Sequence, residues 1–552
     1  MSLRVRAAAA LFAVLTALIM LAAHVFVVAA LAVLFAVMAI VSIPIEKHRR
    51  SKVTYNHVPM HEAAHLTGVG VPHAANVGAL HAAGKVRVPG DLPRLSSIVV
   101  VACVVLVATL PMGLNSTWTG EGSHSHQRNE YELMANSLIE GHLYLDYTPN
   151  KALDEMENPY DTQMRRALGV HVHWDSAYYN GKYYMYFGVV PAVLVFVPYK
   201  LITGYSLASY HATQLFTAIY IIGLFFLMKL ISRRFFRAIP VPVFYLLFAA
   251  LALISTWYFS EAPALYCTAI SAGVCFQTWG LYCFARAVWE TSCEWRQIGL
   301  AALGALCGAL TVGCRPTVAI ANLMVVPLLI EFLKTKRLSG KLVGRLLLAA
   351  LPYMIIIGAL MAYNYARFDS VFEFGQSYQL TSADQHQYGN LLQRVANSNM
   401  PFQFLCCTFG LIKYLQFPGF FWEYPLLLAV FAVFFGHFWR TSERARQMRI
   451  FAAAAVIVAS LIIMAQTIGA PYLLERYKSD LLWLVCIGAF TCICAMNDSL
   501  QGRKRAFFLD AVRFLSAFGI AACAVLFLVP NDLNLTYAYR FQVLDWFLAL
   551  LP

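Results

Sequence analysis

Arg128-Asn129-Glu130-Tyr131-Glu132, Asn158-Pro159-Tyr160-Asp161, Trp174-Asp175-Ser176-Ala177-Tyr178-Tyr179 and Gly181-Lys182-Tyr183-Tyr184-Met185-Tyr186-Phe187-Gly188 punctuate residues 115–187. This polar, acid-bearing segment stands between long apolar runs, and the contrast decides the fold. Of the 552 residues, 60% are hydrophobic and 12% charged, whereas a soluble domain carries roughly 25% charged residues. The apolar residues fall in blocks of about twenty, the length that crosses a bilayer as a helix. Alternating strand patterns are absent, and a backbone in lipid must bond within itself, so the blocks are expected to be helices. The fold class is therefore an all-α polytopic membrane protein with a large first outer loop carrying short amphipathic helices.

The net charge of +13 does not point to nucleic acid. Lys and Arg gather beside the apolar blocks: Lys47/Arg49/Arg50/Lys52, Arg233/Arg234/Arg237, Lys334/Lys336/Arg337, Arg440/Arg444/Arg446/Arg449 and Arg503/Lys504/Arg505. That is the positive-inside pattern, which sets topology. The 13 cysteines show no spacing of a disulfide or zinc framework, and most lie inside apolar blocks as small hydrophobes.

Residues 1–45 read as an N-terminal transmembrane hairpin, 8–22 and 26–45, because the apolar run is too long for a signal peptide or one span. Residues 46–96 read as a cytoplasmic His/Gly/Pro-rich linker with little order. Further spans are expected at 97–114, 209–231, 239–257, 264–286, 297–313, 316–334, 343–365, 420–439, 449–468, 480–496 and 508–529. The apolar segment 188–203 is read as re-entrant or interfacial, since a full crossing would put every later basic cluster outside. The total is about 13 crossings. The outer side then receives 115–187, the turn at Glu261, the loop 366–419, the turn at Arg476 and the tail 531–552.

Several motifs carry chemistry on paper. His61-Glu62-Ala63-Ala64-His65 has the zinc-protease spacing, but it lies in the Pro/Gly-rich linker, where a solvated tract is the plainer reading. Glu130 can be a base over a lipid-borne substrate, flanked by Arg128, or simply an acid at a helix N-terminus. Asp161 and Asp175 sit among aromatics, as sugar-binding carboxylates do, and also suit turn caps. His171 and His173 precede Asp175, a set that could hold a metal, with a structural role preferred. Arg315-Pro316 and Arg476-Tyr477-Lys478 put cations on the outer face, against the topological bias, where they could grip a lipid phosphate or snorkel to headgroups. The outer loop Asn364–Leu380, with Glu373, is dense in aromatics and charge.

Together these segments resemble the GT-C superfamily, integral-membrane glycosyltransferases that draw sugars from polyprenyl-phosphate donors. The resemblance covers roughly 97–530. It rests on a first span followed by a large outer loop with an early acid and Tyr (Glu130-Tyr131), and on the aromatic run Tyr183–Pro191. Gly313-Cys314-Arg315-Pro316-Thr317, Asn364–Leu380 and Glu475–Asp480 add to it. It implies that an acid of the first outer loop deprotonates an acceptor hydroxyl: Glu130 first, then Asp161 or Asp175. Arg128, Tyr131, Trp174, Tyr179, Lys182, Tyr184, Arg315, Glu373, Arg476 and Lys478 form the expected substrate-binding set. The early acid is Glu where the superfamily commonly has Asp, and the hairpin and linker are additions.

The implied function is sugar transfer from a polyprenyl-phosphate donor to an envelope glycan, lipid or protein, at the outer face of a bacterial inner membrane. No resident metal is assigned, although a divalent ion is compatible with the family. The rival readings are a transporter or flippase of lipid-linked or small polar substrates, and a non-catalytic assembly subunit. Charge concentrated on loops, with no internal repeat, favours the enzyme.

Overall fold

A computed structural model describes residues 92–114, 129–148, 150–236, 238–263, 265–334, 336, 339–382, 384–385, 391–398, 400–409, 419–469 and 474–528. The N-terminal hairpin, the His-rich linker with its His61–His65 motif, Arg128 and the tail 531–552 lie outside the described residues. The helices are α1 (Arg94–Leu114), α2 (Glu130–Glu140), α3 (Lys151–Glu155), α4 (Thr162–Ala167) and α5 (Val197–Thr203), then α6 (Ser209–Phe235), α7 (Val241–Glu261), α8 (Tyr266–Trp289) and α9 (Glu294–Val312). After these come α10 (Pro316–Ala319), α11 (Val325–Lys334), α12 (Gly340–Phe368), α13 (Leu391–Asn397), α14 (Met400–Phe409), α15 (Phe420–Glu423), α16 (Glu443–Gly469), α17 (Leu482–Ser499) and α18 (Gly502–Leu528). One hairpin, β1 (Ala177–Tyr179) with β2 (Lys182–Tyr184), pairs antiparallel with Tyr178 opposite Tyr183.

The chain is a multi-pass helical membrane protein. Among the described residues, 9 helices are long and apolar enough to cross a bilayer: α1, α6, α7, α9, the composite Pro316–Lys334, α12, α16, α17 and α18. The 24-residue α8 is long enough but more polar. The expected span 420–439 is not one helix. Tyr424 leaves helical geometry before Pro425, and two 3-10 stretches follow, Pro425–Phe434 and Gly436–Trp439. A residue before proline is driven out of the α region, which gives the break its cause. The segment after Gly188 forms a π-helical turn, Ala192–Phe196, and then α5, of 5 and 7 residues. At 1.5 Å per residue such a piece rises about 18 Å, short of a hydrocarbon core of about 30 Å.

The long helices alternate direction, so their turns collect at two ends. One end carries Arg233, Arg234, Lys334, Lys341, Arg440, Arg446, Arg503 and Lys504 and is called the basic end. The other receives residues 129–208, 369–409 and the turn before α17, and is called the loop end. The core is made by α7 and α17, of which 78% and 83% of the apolar window is buried, while α12 has 11% buried and faces outward. With 29 residues, α12 is about 44 Å long, so its last turns stand beyond the apolar layer. They bring Asn364, Arg367 and Phe368 into the loop layer.

The loop layer is a joint construction of both loop-end segments. Asp175 N donates to Leu380 O (3.0 Å), Leu380 N to Ser176 O (2.9 Å) and Tyr178 N to Tyr378 O (2.9 Å). Arg165 donates to Pro159 O (3.0 Å) and Thr381 O (2.8 Å). Buried Arg367 donates to Met185 O (2.7 Å) and Asn364 Oδ1 (2.8 Å) and stacks 4.0 Å from the Tyr363 ring. The two loops therefore fold as one unit over the membrane helices.

Candidate active site

The site begins where the loop layer meets the α9–α10 turn. Val190 N donates to Gly313 O (3.0 Å). A Cβ at Gly188 would stand 2.0 Å from Gly313 O and 2.5 Å from Cys314 O, and one at Gly313 would stand 2.4 Å from Val190 Cγ2. Only two glycines allow this backbone crossing. It sets Tyr186, two residues before Gly188, beside Arg315, two residues after Gly313.

The Glu475–Asp480 segment completes the site. It is a 3-10 helix, in which residues three apart share a face. Its six side chains consequently divide into three pairs with three different tasks.

On the first face, Lys478 donates to both carboxylate oxygens of Glu423 (2.9 and 3.0 Å) and lies 3.8 Å from Glu475. All three are buried. Burial pushes the Glu423 carboxyl up, and Lys478 opposes it. Lys478 keeps its proton because the two carboxylates outweigh burial. On the second face, Tyr477 and Asp480 hold Arg315. Its Nε donates to both Asp480 oxygens (2.7 and 2.9 Å), and its guanidinium lies 5.9 Å from the Tyr477 ring centre. Thr317 (3.1 Å) and Gln466 (2.7 Å) also donate to Asp480, which is fully enclosed.

Arg476 occupies the third face. Its guanidinium lies 3.9 Å from the Tyr266 ring centre and 5.4 Å from that of Tyr477. Its buried Nε has no hydrogen-bond partner among the described residues. Burial disfavours its charge, but the surrounding Tyr477, Tyr258, Tyr186 and Asp175 more than offset that and hold it protonated.

Tyr186 is the meeting point. Burial pushes its hydroxyl up, reinforced by Asp175 and opposed by the fields of Arg476 and Arg315. Asp175 is buried and held at φ 61, an uncommon conformation for a non-glycine residue and one that the surrounding structure must impose. Gln379 donates to its Oδ1 (3.0 Å). Glu130 opens α2 and is buried next to Tyr131. Tyr131 stacks on Phe196 (5.3 Å) and donates to Gly188 O (3.4 Å). The Tyr131 hydroxyl, raised chiefly by burial, also feels Cys314, Arg315, Tyr186 and Glu130. Tyr186 thus feels Asp175, Arg315 and Arg476, and Tyr131, next to Glu130 in the chain, feels Arg315 and Tyr186.

The other candidates lie elsewhere. Asp161 caps α4, accepting from Gln163 N (2.8 Å) and Met164 N (3.1 Å). Glu373 accepts from Gly375 N (2.6 Å) and Ser377 N (3.3 Å), closing its own turn. Tyr179 donates to Asp369 (3.1 Å), and Tyr184 packs edge-on to Phe368 (5.3 Å). Lys182 is exposed over the Tyr144 ring (4.4 Å), and Trp174 is exposed. Lys478 faces the buried acids. His173 stacks on Tyr147 (3.6 Å). Among the described residues, the only three metal-capable side chains within reach of one ion are Glu140, His142 and Asp146, at the far end of α2 from Glu130.

Sequence reasoning gave no role to Tyr186 or Asp480 and treated Glu132 alongside Glu130. Burial pushes the Glu132 carboxyl up to about 7, with Lys200 opposing. Lys200 in turn bonds Asn136, one turn along α2 from Glu132. Two acids two residues apart on a helix point about 200° apart, which was the available signal that Glu130 and Glu132 have different surroundings.

No family model and no curated protein matches the sequence. Among solved structures, the chain is similar to the crystal structure of ArnT from Cupriavidus metallidurans bound to undecaprenyl phosphate. The identity is 14%, the TM-score is 0.44, and the match covers 82% of this chain and 69% of that one.

Proposed function

We propose that this protein is a membrane glycosyltransferase that takes a sugar from a polyprenyl-phosphate donor and passes it to an acceptor of the cell envelope at the loop end. The observation that carries the reading is Arg476. A guanidinium laid on the Tyr266 ring, its buried Nε without a hydrogen-bond partner among the described residues, suits a phosphate that arrives from the membrane. Arg315 stands nearby, its charge matched by Asp480 and its direction fixed through Nε.

In this scheme the acceptor hydroxyl oxygen attacks the anomeric carbon. The bond from that carbon to the donor phosphate oxygen breaks, and its electron pair leaves with the lipid phosphate. The hydroxyl proton passes to a carboxylate. Glu130 is the first candidate for that base and Asp175 the second; both are buried, and Asp175 lies near Arg476. Lipid phosphate is already a good leaving group, so positioning and charge stabilisation supply most of what is needed. Asp161, Glu373 and Lys478 act in this reading through the fold.

The test is turnover by purified protein with a panel of polyprenyl-phosphate sugars, wild type against Glu130→Gln, Asp175→Asn and Arg476→Ala. Loss of transfer in Arg476→Ala and in one acid variant is the predicted result. Full turnover in all three sinks the site. Lipid movement with no glycosidic bond formed supports the transporter reading.

A further inference from the structure

At the basic end, opposite the candidate active site, Gly436, Trp439, Arg440, Arg446 and Arg449 line an open cleft of about 430 Å³. It lies between the end of the 3-10 helix Pro425–Phe434 and the start of α16. A helix end leaves carbonyls without partners, and here they are met from inside the cleft. Trp439 Nε1 donates to Ala432 O (2.9 Å), and Arg449 donates to Val433 O (2.7 Å) and Phe434 O (3.5 Å). Arg449 therefore has a structural duty. A Cβ at Gly436 would lie 3.4 Å from its terminal nitrogen, so glycine gives the guanidinium room.

Arg440 and Arg446 have no such duty. Both are exposed, neither has a side-chain partner among the described residues, and no acid lines the cleft. Three other cations of this end are engaged: Arg345 with Glu294, Arg286 with Glu290 (3.3 Å) and Arg505 with Asn497 (3.1 Å). The cleft therefore holds three guanidinium groups with no opposing charge in its lining. Beside it Phe434 (69%), Phe435 (54%) and Ile450 (55%) are exposed.

We propose that this cleft binds the headgroup phosphate of an anionic phospholipid from the leaflet at the basic end. Arg440 and Arg446 hold the phosphate, and the acyl chains lie along Phe434, Phe435 and Ile450. Positive-inside charge by itself is diffuse. Here a cleft of ligand size, a guanidinium set without counter-charge and an adjoining apolar face coincide.

The experiment is native mass spectrometry of the full chain released from detergent with added phosphatidylglycerol or phosphatidylcholine. Wild type should retain phosphatidylglycerol in excess. Arg440→Ala/Arg446→Ala should weaken that retention about thirtyfold, from roughly 1 kcal/mol of attraction for each of the two surface cations, and leave phosphatidylcholine unchanged. Arg503→Ala/Lys504→Ala, with the same charge loss at the same end, should behave as wild type. Equal loss in both double variants, or equal retention of the two lipids, overturns the proposal. Inorganic phosphate is the third arm, and displacement of the lipid by millimolar phosphate overturns the lipid assignment. Unchanged melting temperatures in phosphatidylcholine confirm that the variants fold.

Discussion

The loop layer and the Glu475–Asp480 turn meet at one site but are built on opposite principles. The loop layer is held by backbone pairing between Asp175–Tyr178 and Tyr378–Leu380, by stacked rings, and by the glycine crossing at Gly188 and Gly313. The turn is held by charge: Lys478 between Glu423 and Glu475, and Asp480 on Arg315. The difference teaches where each element's sensitivity lies. Apart from its buried donors Arg165 and Arg367, the layer should tolerate loss of individual charges and fail on added volume. The turn should tolerate neither loss nor reversal of its paired charges, and only its third face, Arg476, is available to a ligand.

Lys478→Met should have the largest effect on stability. It leaves two buried carboxylates without their cation, and breaking a buried pair costs about 3–5 kcal/mol. Thermal unfolding in detergent reads the loss, and adding Glu423→Gln should recover much of it. A Lys478→Met protein as stable as wild type would remove the contrast between the two regions.

Gly188→Ala comes next. Its methyl would stand 2.0 Å from a carbonyl oxygen, and overpacking of this kind costs about 1–3 kcal/mol. It should also lower sugar transfer by shifting Tyr186 from Arg315. Gly299→Ala, with nothing within 4 Å, is the control and should be silent.

A smaller effect concerns pH. The Glu132 carboxyl is raised from 4.5 to about 7 in the folded protein. The folded state therefore holds this proton more tightly than the unfolded chain. The associated stability is complete below about 4.5 and is lost as pH rises through about 7. Melting temperature should fall over that window, and Glu132→Gln should flatten the fall. An identical pH profile in the variant would show that Glu132 does not titrate there.

Asp161 gives the smallest change. Asp161→Ala should cost about 1 kcal/mol through loss of the α4 cap, and Asp161→Asn almost nothing, since Asn caps as well. Sugar transfer should survive both. Abolished transfer in Asp161→Asn with unchanged melting would return Asp161 to the list of bases.

Much of the fold was legible because a span needs only length and hydropathy. The runs behind α1, α6, α7, α9, α12, α16, α17 and α18 announce themselves that way. The segment 420–439 passed the same test and is still not one helix. Hydropathy averages over Pro425, whereas backbone geometry does not. The Asp161 cap was also legible, as an acid just before Thr162-Gln163. The fates of Arg315, Arg476 and Lys478 were not. They depend on a period of 3 instead of 3.6, which separates neighbours onto three faces, and on Glu423, more than fifty positions away. The convergence of Asp175 with Arg476 likewise rests on the pairing of two distant loops, for which the local sequence has no signal.

The central claim is that Arg476 is the guanidinium available to a lipid phosphate. The direct measurement is binding of a polyprenyl phosphate to purified wild-type, Arg476→Ala and Arg476→Lys protein, with melting temperature recorded alongside. Losing a hydrogen-bonded charge contact should weaken binding by about tenfold to a hundredfold. Lys should restore only part of it, because a point charge does not reproduce the planar fork, and the melting temperature should stay within a few degrees. Unchanged affinity in Arg476→Ala would contradict the account.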